Sequence, residues 1–384
     1  MTNNSIINID NLVNQTELRV NLDALDHNFH LYKSMLRPTT GIVCMVKAAG
    51  YGAGSVELAR DLQDQGAAYL AVANLDEGVQ LRKGGITMPI MVVNPGFDID
   101  YNAMFANRLE PEVYNFFILN RITKAARQRG ITAYPVHIKI DSGMHRLGFL
   151  EQNIDDLVNT LKATDTVVPA SIFSHLATAD CLDQDEYTLG QLEYFDRVSS
   201  TFIDAFPHKI LRHILNSTGI TRFNEYQYDL VRLGICLYGI PTVPDGSQSG
   251  LRPVSSLHTR VISIKEWDEG TTIGYSRRGV LHRHSRIATI PIGYADGYNR
   301  LLGNGKADVW IADHRCPTLG NICMDACMID VTDAPDCHVG SEVEIFGPHI
   351  SVEELADKLG TITYEVLTGV SSRVKRVYYR ENPV

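Results

Sequence analysis

The strongest constraint on how this chain can fold is a regular alternation of two periodicities. Mostly apolar runs at 42–46, 69–73, 89–93, 109–113, 136–140, 169–173, 211–215 and 230–233 are of strand length, and most read as strands buried on both faces. Between them lie helix-like segments at 55–65, 75–83, 115–128, 154–161, 187–206 and 218–223, several of them stopped by Gly66, Gly84 and Gly130. About eight strand–helix pairs over ~200 residues predict an α/β fold, a closed (β/α)8 TIM-type barrel. A doubly wound open sheet carries the same alternation and stays open as an alternative.

Beyond about residue 250 the pattern changes. Short strand candidates at 260–265, 285–291, 307–312, 327–331 and 342–346 are separated by Gly, Pro and Asp turns, which predicts a second, mostly β domain closed by a helix over 352–359 and a basic tail from Arg373 to Arg380. The expected division is 1–14 as a loose, Asn-rich lead-in or linker remnant, 15–253 as the barrel and 254–384 as the β domain. Within 15–253, Leu18–Val20 reads as a short strand, and Leu25, Phe29, Tyr32 and Leu36 carry helical spacing.

A net charge of -10 argues against nucleic acid or an anionic membrane as the main partner. No apolar run approaches the ~20 residues of a membrane span, and the polar start MTNNSIINIDN is unlike a signal peptide, so a cytoplasmic address is expected. The cysteines are odd in number and scattered, and Cys323 and Cys327 lack a second pair at zinc-like spacing. Free thiols are expected, and no metal site.

In a barrel, reactive groups gather at the C-terminal ends of strands. Here those ends carry Lys47, Lys139 with Asp141, His175, Asn216-Ser217 and Arg232 with Gly234. Lys47 stands where a buried strand meets the turn Gly50-Tyr51-Gly52-Ala53-Gly54. It reads either as a snorkelling lysine or as a Schiff-base lysine kept partly neutral by desolvation. Ser217 at a helix start, the backbone at Gly234-Ile235 and the phenol of Tyr51 could hold a phosphate. Phosphate beside a strand-end lysine suggests pyridoxal 5′-phosphate or a sugar-phosphate aldolase. A satisfied structural histidine and an ordinary helix cap are the plainer readings of His175 and of Ser217.

The segments VKAAGYGAG (46–54), VHIKIDSGMHRLGF (136–149), SHLATAD (174–180), NSTG (216–219), VRLGICLYG (231–239), IPIGYADGYNR (290–300), GNICMDACMID (320–330) and TITYEV (361–366) together resemble the alanine racemases, in that family's order over nearly the whole chain. The resemblance implies an isomerase that interconverts L- and D-alanine with pyridoxal phosphate, supplies D-alanine for peptidoglycan, and works as a homodimer with shared active sites. By motif, Lys47 corresponds to the Schiff-base lysine and the base on one face of the substrate α-carbon, and Tyr275 to the opposite base, contributed by the other subunit. Tyr51, Asn216, Ser217, Gly234, Ile235 and Tyr364 correspond to cofactor-binding positions. Arg232 corresponds to the arginine on the pyridine nitrogen, Arg146 to the one near the phenolic oxygen and the substrate, and Lys139 to a lysine that is often carbamylated. His175 corresponds to a bridge between Arg232 and the catalytic tyrosine. Met324 and Asp325 correspond to substrate-side residues, and Asp180, Tyr294 and Arg300 to positions along the substrate's access channel.

Elementary chemistry agrees with these roles. Racemisation removes a proton from one face of Cα and returns one to the other, which two opposed bases do directly. A tyrosine of pKa about 10 needs cationic neighbours to act as a phenolate at neutral pH, and an Arg232–His175 relay is expected to supply them. An arginine on the pyridine nitrogen keeps its own proton, which weakens the electron sink and disfavours transamination and decarboxylation. The chain departs from the family pattern at Ala49-Gly50 (commonly Asn-Ala), at Ala53 (commonly His) and at Asn321 (often Arg). A broad-spectrum or serine racemase, a decarboxylase of similar two-domain form and a non-catalytic pyridoxal-phosphate carrier are the competing expectations.

Overall fold

The computed structural model describes residues 16–96 and 99–381, so the lead-in expected over 1–14 lies outside the described residues. The chain forms two compact units: one holds residues 25–50 and 55–252, and the other holds residues 16–24, Tyr51–Gly54 and the chain from Pro253 onward.

The strands in chain order are β1 (Thr16–Asn21), β2 (Gly41–Met45), β3 (Tyr69–Val72), β4 (Ile90–Val92), β5 (Leu109–Val113), β6 (Tyr134–Lys139), β7 (Val167–Phe173), β8 (Leu211–His213) and β9 (Leu230–Leu233). The second unit adds β10 (Ser255–Arg260), β11 (Ser263–Trp267), β12 (Thr272–Ile273), β13 (Gly279–Val280), β14 (Ser285–Ile290), β15 (Asp308–Ile311), β16 (His314–Leu319), β17 (Cys327–Asp330), β18 (Glu342–Phe346) and β19 (Lys375–Tyr379).

Strands β2 to β9 form one eight-stranded sheet in the order β8-β7-β6-β5-β4-β3-β2-β9, with every pairing parallel. The remaining gap is bridged by backbone bonds from Asp229 N to Arg212 O (3.2 Å) and from Arg232 N to Leu215 O (2.9 Å). The sheet therefore closes on itself as a barrel, and the open doubly wound alternative falls away. Its register decides which side chains line the interior, because alternate residues on each strand face alternate sides. Val43, Ala71, Met91 and Leu230 form a buried apolar cluster on the β2–β4 and β9 side. In the same inward series, β5 to β9 present Glu110, Glu112, His137, Lys139, Ser171, Phe173, His213 and Arg232. One wall of the barrel is apolar and the other is wired with polar groups.

The second unit is built on a nine-stranded sheet in the order β11-β14-β17-β16-β15-β18-β10-β1-β19. β1 therefore lies in this sheet rather than in the barrel, antiparallel to β10 and parallel to β19. The basic tail is that last strand: Val377 is buried between Arg376 and Tyr378, and the whole segment pairs with β1 from Glu17 to Asn21. The single strand expected over 260–265 is two strands, β10 and β11. The strand β16 and the short helix Thr363–Thr368 have no counterpart in the sequence reading.

Candidate active site

Lys47 follows β2 directly, and the chain after it turns the wrong way. Ala48, Ala49, Gly50 and Tyr51 have φ of 51°, 52°, 62° and 51°, a single turn of left-handed helix. Such a turn costs an L-residue about 1–2 kcal/mol per position, and only glycine escapes that cost. Glu77 holds the turn from outside: one carboxylate oxygen accepts from Ala48 N and the other from Ala73 N, both at 2.7 Å. Asn74 caps the helix that carries Glu77, accepting from Glu77 N at 3.1 Å. Burial pushes the Lys47 ammonium below the ordinary lysine pKa and Arg146 pushes it the same way, while Glu77 and Glu112 pull it back. Its neutral, nucleophilic form is thereby brought closer to neutral pH.

Arg232 is buried and its terminal nitrogens are saturated. NH1 donates to His213 Nδ1 (2.9 Å), and NH2 donates to the carbonyls of Ser174 (2.6 Å) and Ile214 (2.8 Å) and to His175 Nδ1 (3.2 Å). Among the described residues Nε makes no side-chain bond. Because His213 accepts at Nδ1, its Nε2 carries the proton, which it donates to Ser171 Oγ (3.0 Å). Ser171 then donates to His137 Nδ1 (2.7 Å), and His137 Nε2 donates to Glu110 (3.0 Å). His137, Ser171 and His213 are fully buried, so this is a dry chain of donors and acceptors ordered in one sense from Arg232 to a carboxylate. The Phe173 ring lies flat on His213 at 4.8 Å, with Lys139 Nζ 4.3 Å from its centroid.

His175 likewise accepts from Arg232 at Nδ1. Burial, then the charges of Arg232, Lys139, Arg146 and Lys47, hold its pKa well below that of an ordinary histidine. The sequence reading made it part of a cationic relay; burial and these cations favour its neutral ring, which leaves the positive charge with Arg232. Lys139 is buried, and burial together with Arg232 and Arg146 brings its pKa down to about 8 against the pull of Glu112 and Asp141. Glu112, 2% exposed, is the buried carboxylate facing these cations; burial pushes it up to about 7 against Lys139, Arg232, Arg146 and Lys47. Arg146 stands exposed on a loop shaped by Asp141, whose carboxylate accepts from Gly143 N (3.0 Å) and His145 N (2.9 Å). Ser217 Oγ accepts from Gly234 N at 2.8 Å, joining the start of one short helix to the turn before Ile235. Asn216 acts as that helix's cap, accepting from Gly219 N at 2.9 Å. Asp180 is exposed.

The second unit assembles its own group of the expected residues. The rings of Tyr51 and Tyr364 lie 6.0 Å apart. Gly293 allows the turn bearing Tyr294 to pass against the loop bearing Met324 and Asp325: a Cβ on Gly293 would stand 2.3 Å from the carbonyl oxygens of Cys323 and Met324. Backbone bonds from Tyr294 N to Cys323 O and from Ala295 N to Met324 O, both 3.1 Å, close the contact. Arg373 bridges Asp325 (2.8 Å) and Asp296 (3.3 Å). Tyr294 and Arg300 rim a cavity of about 680 Å³. Tyr275 is 69% exposed and Met324 53% exposed, at the surface of this unit.

Comparison with known proteins decides the family. The model of the alanine racemase N-terminal domain matches residues 20–242, and that of the C-terminal domain matches residues 254–378. The chain is 36% identical to alanine racemase 1 of Clostridium acetobutylicum, with 95% of each chain covered, and 39% identical to the alanine racemase of Clostridium novyi at the same coverage. The solved alanine racemase of Clostridium difficile 630 superposes with a TM-score of 0.91 at 34% identity, covering 97% of each chain. The chain belongs to the alanine racemase family. Against that background, the alanine racemase resemblance places strand-end and loop residues but is silent on the relay Ser171–His137–Glu110, on Glu77 and on Glu112. A signal for the relay was present, since His137 and Lys139, Ser171 and Phe173, and Glu110 and Glu112 each recur at every second position of a strand. No described helix is long and apolar enough to cross a membrane.

Proposed function

We propose that this chain interconverts L- and D-alanine with pyridoxal 5′-phosphate as cofactor and with Lys47 and Tyr275 as opposed bases. The observation that carries the reading is Arg232: a buried guanidinium with NH1 and NH2 committed to the protein and Nε left over. That is the donor a pyridine nitrogen requires, and one that does not surrender its proton. Ser217, Gly234, Ile235, Tyr51 and Tyr364 offer hydroxyl and backbone donors suited to a phosphate, and Lys47 offers the amine.

Bound pyridoxal phosphate would supply the electron sink that acidifies the substrate's α-hydrogen. Lys47, its pKa lowered by burial, takes or returns a proton at Nζ on one face of Cα. Tyr275 does the same at its phenolic oxygen on the other face. Arg232, which keeps its own proton, would leave a bound ring nitrogen unprotonated, and the weaker electron sink this would supply would favour reprotonation at Cα over loss of the carboxylate. The ordered chain His213–Ser171–His137–Glu110 keeps Arg232 in one orientation. Arg146 would meet the substrate carboxylate and the cofactor's phenolic oxygen.

Tyr275 and Met324 protrude from their own unit, which suits residues lent to the site of a second copy in a homodimer. Incubating the purified, cofactor-loaded protein with a panel of L-amino acids and resolving the products chirally tests the assignment. D-alanine from L-alanine, in preference to D-serine from L-serine, is expected; release of carbon dioxide, or an unchanged panel, refutes it.

A further inference from the structure

Tyr275 is 69% exposed, so packing within its own unit does not hold its side chain. Its main chain is held instead. The loop around it places Ser276 and Arg277 at φ of 58° and 53°, in the left-handed region that side chains disfavour. Arg277 N donates to Gly274 O at 3.1 Å and Arg277 Nε to Thr272 Oγ1 at 2.9 Å, which tie down the loop's far side. On the Tyr275 side the brace is Asn321, whose Nδ2 donates to the Tyr275 carbonyl at 3.0 Å. Asn321 is 8% exposed, and its Oδ1 accepts from Asn304 Nδ2 at 3.0 Å. A carbonyl can only accept, so the amide's nitrogen must face Tyr275 and its oxygen must face Asn304. Asn304 is in turn fixed by its own N–H to Gly320 O at 2.9 Å.

We propose that Asn321, oriented by Asn304, is a positioning residue for Tyr275: it fixes the main chain from which the phenol approaches the substrate α-carbon. The proposal rests on the reading of Tyr275 as a base. An uncharged amide does this without placing a second cation beside the phenol. Its influence is confined to the Tyr275 face and leaves the Lys47 face alone, which a merely structural residue would not do.

The test measures α-proton exchange with solvent separately from L- and D-alanine in the cofactor-loaded enzyme, for Asn321→Ala, Asn304→Ala and Tyr275→Phe. Tyr275→Phe is expected to abolish exchange from one enantiomer only. Asn321→Ala slows exchange from that same enantiomer by about fivefold to tenfold, the scale of one lost hydrogen bond, and leaves the other unchanged. Asn304→Ala, which leaves Asn321 in place, gives a smaller loss on the same side. In the protein without substrate, amide hydrogen exchange across 274–278 rises in Asn321→Ala. Equal slowing from both enantiomers, or unchanged amide exchange, with Tyr275→Phe still one-sided, overturns this proposal alone. Exchange that is not one-sided in Tyr275→Phe overturns the base assignment and this proposal with it.

Discussion

Replacing Glu77 with alanine should loosen the left-handed turn that follows Lys47. Ala48, Ala49 and Tyr51 hold positive φ at about 1–2 kcal/mol each, so the turn stores roughly 3–6 kcal/mol that something must offset. Glu77 offsets part of it with one charge-assisted bond of 2.7 Å to Ala48 N, its other oxygen being anchored by Ala73 N just after β3. The bond to the turn is worth about 1.5–3 kcal/mol, and because Glu77 is half-buried the lower end applies, about 1.5 kcal/mol. Since about 1.4 kcal/mol is tenfold in an equilibrium, amide hydrogen exchange at 48–51 should accelerate by roughly tenfold in Glu77→Ala. Glu77→Gln, which keeps one accepting oxygen, should fall between that variant and the parent. Removing this carboxylate also lowers the Lys47 pKa further, because Glu77 raises it. Exchange mapped by mass spectrometry reads the turn directly. A folded Glu77→Ala protein with unchanged protection at 48–51 would refute the reasoning.

Two further predictions concern the barrel interior. The Glu112 carboxyl is raised from 4.5 to about 7, so the folded state binds that proton more tightly than the unfolded chain; its contribution is present below about 4.5 and lost as pH rises through about 7. Relative to the parent, Glu112→Gln should therefore become more stable as pH rises across that window, read by urea denaturation, and a pH-independent difference would contradict it. Ser171→Ala strands His137 Nδ1 and His213 Nε2–H in a fully buried site, which should cost about 2–5 kcal/mol. A loss below about 0.5 kcal/mol, the scale of a surface change, would show that the relay is dispensable.

The barrel was legible because its strands are buried on both faces and therefore stand out as short apolar runs between helices. The second unit was less so. β1 pairs with β10 and β19, partners from the far end of the chain, and nothing local in Leu18–Val20 announces them. Lys375 and Arg376 hid β19, since only Val377 among its residues is buried. In the site, residues at strand ends were visible as polar groups breaking an apolar run. The relay showed only as polar residues at every second strand position, and His137, Ser171 and His213 each resemble a tolerated polar residue until the register sets them side by side. The glycines around Tyr51 advertised a turn, but not that two alanines and a tyrosine share its left-handed backbone, held by a glutamate 29 residues downstream of Ala48. Of the unusual pair Ala49-Gly50, the glycine fits that backbone: it sits at the φ of 62°, where a Cβ would also stand 2.9 Å from Leu58 Cδ1, while Ala49 bears the cost of its φ of 52°.

The central claim is that two bases act on opposite faces of one carbon, and exchange of the α-proton measured separately from each enantiomer tests it most directly. In the cofactor-loaded parent protein, α-deuterated L- and D-alanine should both lose label to solvent. In Tyr275→Phe, racemisation should collapse while one enantiomer alone continues to exchange through Lys47. Equal washout from both enantiomers in Tyr275→Phe would contradict the account.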